Sequence, residues 1–129
     1  MNTTTANRLT HALRELHREL LASTERGHAK LFGAKRSPYE RLALYQDDPL
    51  FAWLKPLTGA VAELDDALDH VEEPARLEAA LQAVTRLLWG QDPAFGPLYT
   101  QALQGSPEVA VAHGAASREL RALGLKHAA

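Results

Sequence analysis

The chain has no cysteine. Disulfides, thiolate nucleophiles and cysteine-ligated zinc or iron–sulfur sites are therefore excluded. It has no run of about 18 apolar residues, the length a membrane-spanning helix needs. Met1 to Asn7 are polar and lack the apolar core of a secretory leader, so none is expected. Gly-x-Ser-x-Gly, the phosphate-binding P-loop and Gly-x-Gly-x-x-Gly are all missing. Ser23, Ser37, Ser106 and Ser117 read as helix caps or helix-surface residues. No segment alternates apolar and polar residues over a strand length, so no sheet is expected. These absences leave no short signature of an enzyme and no call for a cofactor.

What is present is helical periodicity. Leu50, Leu54, Leu57, Val61, Leu64, Leu68 and Val71 follow at steps of four and three, on one stripe of a helix. Asp48 can cap this helix and Pro49 suits its first position. Pro56 lies inside it, where a missing N–H would free the carbonyl of Ala52. Because the apolar phase runs through Pro56 without a slip, the expectation is one proline-kinked helix from Asp48 to Val71.

The remaining helices have equally clear limits. Leu9, Leu13, Leu16 and Leu20 give the first, from about Thr5 to Phe32, with Thr24, Gly27 and His28 interrupting its stripe and Gly33 stopping it. Ser37-Pro38-Tyr39-Glu40 opens a short connector. Glu73-Pro74 opens a helix carrying Leu77, Leu81, Val84 and Leu88, which Gly90 ends. Asp92-Pro93 precedes a short helix closed by Gly105. Ser106-Pro107 opens the last, and the chain frays from Leu125 to Ala129. Four long helices with short connections predict an all-α, antiparallel four-helix bundle formed by residues 1–129 as a single domain.

The net charge of −2 conceals an uneven distribution. Residues 1–45 carry a balance of +4 and residues 46–80 a balance of −7. A basic first helix beside an acidic second one suits complementary helix packing. Glu15, Glu19 and Glu25 interleave with the Arg and Lys residues and dilute the field that a phosphate backbone would feel, so no nucleic-acid partner is expected.

The segment Asp48-Pro49-Leu50-Phe51-Ala52-Trp53-Leu54-Lys55-Pro56-Leu57 resembles a motif of small uncharacterised bacterial helical-bundle proteins. The resemblance extends from about Leu16 to His113. It implies a helical bacterial protein, and with the composition a cytoplasmic one, but carries no activity and no functional residue.

Metal-ligand patterns are incomplete. Glu25 and His28 have the Glu-x-x-His spacing of di-iron bundles, yet no second copy exists. His17, His28 and His113, with Glu25, are the candidates for a metal or haem site, and the acidic run around His70 for a weak, cageless cation site. His70 lies in the acidic run from Glu63 to Glu73, which reads as a solvated helical face. Large aromatics beside helix ends point elsewhere, to contact with a protein partner or a second copy through Tyr45, Phe51, Trp53 and Pro56. The leading expectation is thus a non-enzymatic interaction protein, and the alternative is a small-ligand, metal or haem-binding bundle.

Overall fold

The computed structural model of the chain describes residues 3–34 and 37–126. Every regular element among them is helical: α1 (Thr3–Phe32), α2 (Pro38–Asp47), a 3-10 helix (Pro49–Leu54), α3 (Lys55–Leu68), α4 (Pro74–Leu88), α5 (Phe95–Gly105) and α6 (Pro107–Ala122). The end of the expected fraying segment, from residue 127 on, lies outside the described residues. No described helix is long and apolar enough to cross a membrane.

Side-chain oxygens cap α2, the 3-10 helix and α6, whereas α3, α4 and α5 start without a side-chain cap. Ser37 accepts from the Glu40 N–H at 3.0 Å, and Ser106 from the Val109 N–H at 3.3 Å. Asp92 accepts from the N–H groups of Ala94 and Phe95 at 2.9 and 2.8 Å. Gly33, Gly90 and Gly124 take positive φ at helix ends, the conformation that a residue with a Cβ resists.

α1 packs against α6 on one side and α3 on the other, α3 packs on α4, and α5 meets both α4 and α6. Leu9, Leu13, Leu16 and Leu20 of α1 are fully buried. Buried residues of all six α-helices and the 3-10 helix join one apolar cluster. The ion pairs follow the uneven charge of the sequence. Arg14 of α1 meets Asp65 of α3 at 3.0 Å, and Arg8 meets Glu119 of α6 at 3.4 Å.

The kinked helix from Asp48 to Val71 is not found. A 3-10 helix runs to Leu54, α3 begins at Lys55, and Pro56 stands in the first turn, where a missing N–H leaves nothing unpaired. The Ala52 carbonyl is not freed, because the Lys55 N–H bonds to it through the tighter 3-10 pattern. The same tightening changes which residues face inward. At three residues per turn, Phe51 sits above Leu54. Phe51 and Leu54 are accordingly buried, while Leu50 is 41% exposed. At the other end α3 stops at Leu68, and Val71 is 82% exposed.

Two expected outcomes follow from this packing. Leu57→Ala and Leu64→Ala, both at fully buried positions, should each cost about 2–5 kcal/mol in urea melts. Arg14→Ala should cost less than about 1 kcal/mol, since its ion pair is solvent-exposed. Pro56→Ala restores no hydrogen bond, because the carbonyl it would reach is already bonded. It should lower stability by about 0.4–1 kcal/mol through the freer unfolded chain. A rise in melting temperature would contradict the first-turn placement.

Candidate functional site

One group of polar side chains lies where α1, α2 and the 3-10 helix meet. His28 continues the inward stripe of α1 and is 4% exposed. Its Nε2 is hydrogen-bonded to Asp48 Oδ2 at 3.1 Å. The ring lies between Phe32 and Phe51, with centroids at 4.8 and 6.1 Å. Asp48 Oδ1 accepts from the Leu50 N–H at 2.9 Å, so one carboxylate satisfies the histidine and starts the 3-10 helix.

One turn earlier on α1, Glu25 accepts from Arg41 Nε at 2.9 Å and from the Tyr45 hydroxyl at 2.7 Å. Burial alone pushes the Glu25 carboxyl up. The hydrogen bonds from Arg41 and Tyr45, with the guanidinium's charge, outweigh it and hold the group below its ordinary range. Burial, and the bond to this carboxylate, push the Tyr45 hydroxyl up. Glu25 is therefore an ionised anchor that holds α2 to α1. It faces a guanidinium and a phenol, and a metal would have to displace both.

A second polar chain runs through the core between α4, α5 and α6. The Tyr99 hydroxyl and His113 Nδ1 are 2.6 Å apart, His113 Nε2 and Ser117 Oγ 3.4 Å, and the Trp89 indole N–H donates to Ser117 Oγ at 3.1 Å. Burial pushes the Tyr99 hydroxyl well above its ordinary range, so it keeps its proton. Serine, histidine and tyrosine here have the connectivity of nucleophile, base and orienting group. Ser117 is only 2% exposed, however, and the indole already occupies its oxygen. The arrangement satisfies polar groups inside the core and offers no surface to a substrate.

His17 stands apart from both groups. Its Nε2 is 2.7 Å from Thr58 Oγ1, whose hydroxyl donates to the Leu54 carbonyl at 3.2 Å. The Thr58 oxygen therefore accepts from an Nε2–H. Burial lowers the pKa of His17.

The three histidines named from the sequence thus end on different partners: Thr58 for His17, Asp48 for His28 and Tyr99 for His113. Among the described residues no group of three or more His, Asp or Glu side chains could hold a metal ion. The acidic run is occupied as well. Arg76 reaches Glu63 at 2.8 Å and Glu73 at 3.5 Å, and also pairs with Asp66. A concavity of about 660 Å³ opens between the start of α1 and the α3–α4 turn. The Arg14–Asp65 pair lies in its wall, and Thr10 spends its hydroxyl on the carbonyls of Ala6 and Asn7 at 3.1 and 3.2 Å.

Among the residues expected at a contact surface, Phe51 needs correction. Phe51 is 1% exposed and belongs to the core, because the 3-10 turn points it inward. Trp53 is half-buried against Phe95, with ring centroids 5.3 Å apart. Tyr45 is half-buried between Glu25 and Phe51, and Pro56 is exposed. Exposed large apolar side chains occur at Leu31 and Phe32 at the end of α1, Tyr39 and Leu42 on α2, and Leu50 at the start of the 3-10 helix, with Val71, Leu98 and Val111 elsewhere. Steps of three and four along α2 would have placed Tyr39 and Leu42 on the face opposite Leu44.

No family model, no curated protein and no solved structure matches the chain.

The lowered pKa of His17 gives a pH signature. Below about 6.5, the ordinary histidine value, the unfolded chain binds a proton that folded His17 still refuses. This contribution to stability is full above that value and shrinks as pH falls through it. His17→Gln should therefore flatten the decline in stability between about pH 6.5 and pH 5. Thermal melts across that range check it, and an unchanged slope would contradict the burial of a neutral imidazole.

Proposed function

We propose that this chain works by docking another protein against the apolar end formed by Leu31, Phe32, Tyr39, Leu42 and Leu50. The observation that carries the proposal is their concentration. Among the described residues, five of the eight exposed large apolar side chains fall between Leu31 and Leu50. Some of them also have neighbours in common. Phe32 rests on His28, which is bonded to Asp48, two residues before Leu50. Tyr39 lines one depression with Asp48 and Pro49. Leu42 follows Tyr39 by one turn of α2. Apolar side chains gathered at one end of a small protein mark an interaction site more often than side chains scattered singly.

Beneath this surface we read α1, α3, α4 and α6 as an antiparallel four-helix bundle that forms a single domain. Arg8 near the start of α1 meets Glu119 late in α6, and Arg26 late in α1 meets Ser106 at the opening of α6 at 3.4 Å. Arg14 meets Asp65, and His17 meets the earlier Thr58. Both partnerships run in opposite directions along the chain. The bacterial origin suggested by the 48–57 segment and a cytoplasmic location complete the proposal. Nucleic acid is no part of it.

The absence of cysteine makes the test clean. A photo-reactive label on Leu42→Cys should form an adduct in cell extract with one defined chain, identified by mass spectrometry. The same label on Gln104→Cys, an exposed position on α5, should not. Adding Tyr39→Glu to the Leu42→Cys chain should abolish the adduct. Equal labelling from both positions, or none from Cys at 42, would overturn the docking reading.

A further inference from the structure

We infer that α2 is a hinged cover that opens from α1 as a unit, with Glu25 as its latch and Asp48 as its pivot, and that opening uncovers Leu44 and Phe51. The inference concerns the inner side of α2 and stands whether or not anything docks on the outer side. Among the described residues α2 buries one side chain, Leu44, whereas each of the other five α-helices buries at least three. At ten residues α2 is also too short to persist in water by itself, where helices below about 12–15 residues are marginal. Its two ends differ. Ser37 and Glu40 support the first turn, but Asp47 sets a negative charge against the dipole in a last turn without a basic residue. Attachment to the rest of the chain therefore decides whether α2 stays in place.

That attachment is concentrated on one side chain. Half-buried Glu25 accepts from both Arg41 and Tyr45, donors one turn apart on α2. The Arg41 bond joins two charges and is stronger than a neutral one. Beside this latch a depression of about 320 Å³ opens between α1 and α2, lined by Glu25, His28, Arg41 and Leu44 among others. The end of α2 is tied differently. The Asp48 carboxylate holds His28 of α1 and the Leu50 N–H, so Asp48 stays with the body of the protein when α2 leaves. Its backbone is extended, with φ −78° and ψ 131°, and interrupts the helical path between α2 and the 3-10 helix. A swing about this residue breaks the bond from its N–H to the Leu44 carbonyl and keeps both carboxylate bonds. Phe51 is 1% exposed in the closed state, with its ring against Tyr45 of α2 on one side and His28 on the other. Removing α2 takes away the Tyr45 side of that enclosure.

Hydrogen exchange of the purified chain, read by mass spectrometry, tests this. In the wild type the amides of residues 42–47 should exchange about a hundredfold faster than those around Leu13 of α1 and Ala116 of α6, because they open without global unfolding. Glu25→Ala should speed residues 42–47 about tenfold further and leave α6 unchanged. Thiol labelling gives a second readout in a chain without cysteine. In native buffer Leu44→Cys and Phe51→Cys should react with a soluble disulfide reagent at similar rates, while Leu13→Cys stays protected. Residues 42–47 exchanging at the rate of α1 and α6 would overturn the opening, and this wild-type result decides even if a variant fails to fold. Equal acceleration of every helix by Glu25→Ala would overturn the latch. Labelling of Leu44→Cys with Phe51→Cys as slow as Leu13→Cys would overturn the uncovering of Phe51.

Discussion

The architecture depends on one buried stripe, the inner face of α1. Leu9, Leu13, Leu16 and Leu20 are fully buried there, and α6, α3 and the 3-10 helix all pack against this helix. The next inward position is a histidine. A polar ring in that place costs free energy unless it is hydrogen-bonded, so the fold must bring it an acceptor. Asp48 is that acceptor, and it makes four bonds at once. Its N–H closes α2 on the Leu44 carbonyl at 3.0 Å, and its carbonyl accepts from the Phe51 N–H at 3.0 Å. Its two carboxylate oxygens take the Leu50 N–H and His28. The break between α2 and the 3-10 helix therefore falls where the stripe of α1 needs a carboxylate.

The helix count and most boundaries were legible because their signals are local. Ser37 and Ser106 announce helix starts through their own side chains, and the structure bears both out. Asp48 caps too, but at a 3-10 helix, and Asp92 bonds in the turn before α5, whose cap position is Ala94. The join at Pro56 was not legible in the same way. Leu50, Leu54 and Leu57 fit a continuous α-helix, but Phe51, Leu54 and Leu57 fit a 3-10 turn leading into one. Periodicity cannot separate these when apolar residues occupy both 50 and 51. What separates them is hydrogen bonding. A proline one turn inside an α-helix orphans a carbonyl, whereas a 3-10 turn before it hands that carbonyl to Lys55. Weighing the bond above the stripe would have favoured two helices meeting at Lys55.

The side-chain networks were legible only in part. That His28 falls on the stripe follows from counting eight residues on from Leu20, which marks it as inward-facing. Its partner, twenty residues away, depends on how α2 folds back, and spacing does not encode that. The same holds for Trp89 with Ser117 and for Glu25 with Arg41 and Tyr45. The uneven charge was visible at low resolution. The basic first helix does meet the acidic third through Arg14 and Asp65. Much of the acidic excess is instead answered within its own neighbourhood by Arg76, which holds Glu63, Asp66 and Glu73 around one guanidinium. One bidentate-capable cation suits several carboxylates better than separate lysines would.

The interior and the surface divide the chemistry between them. Among the described residues no buried side-chain nitrogen or oxygen lacks a hydrogen-bond partner. Imidazole, phenol and carboxylate groups of the kind that serve catalysis are here engaged in holding helices together. Unsatisfied groups in such a core would be costly, and a core that satisfies all of them is rigid and specific. The opposite situation holds on the outer side of α2. Tyr39 and Leu42 remain 82% and 53% exposed on a helix whose other face is already packed. Burying them within the same chain would require turning α2 over, which would break the Arg41 and Tyr45 bonds to Glu25. A helix anchored on one face by hydrogen bonds and apolar on the other has no further cover among the described residues, and for that reason the functional reading rests on this surface.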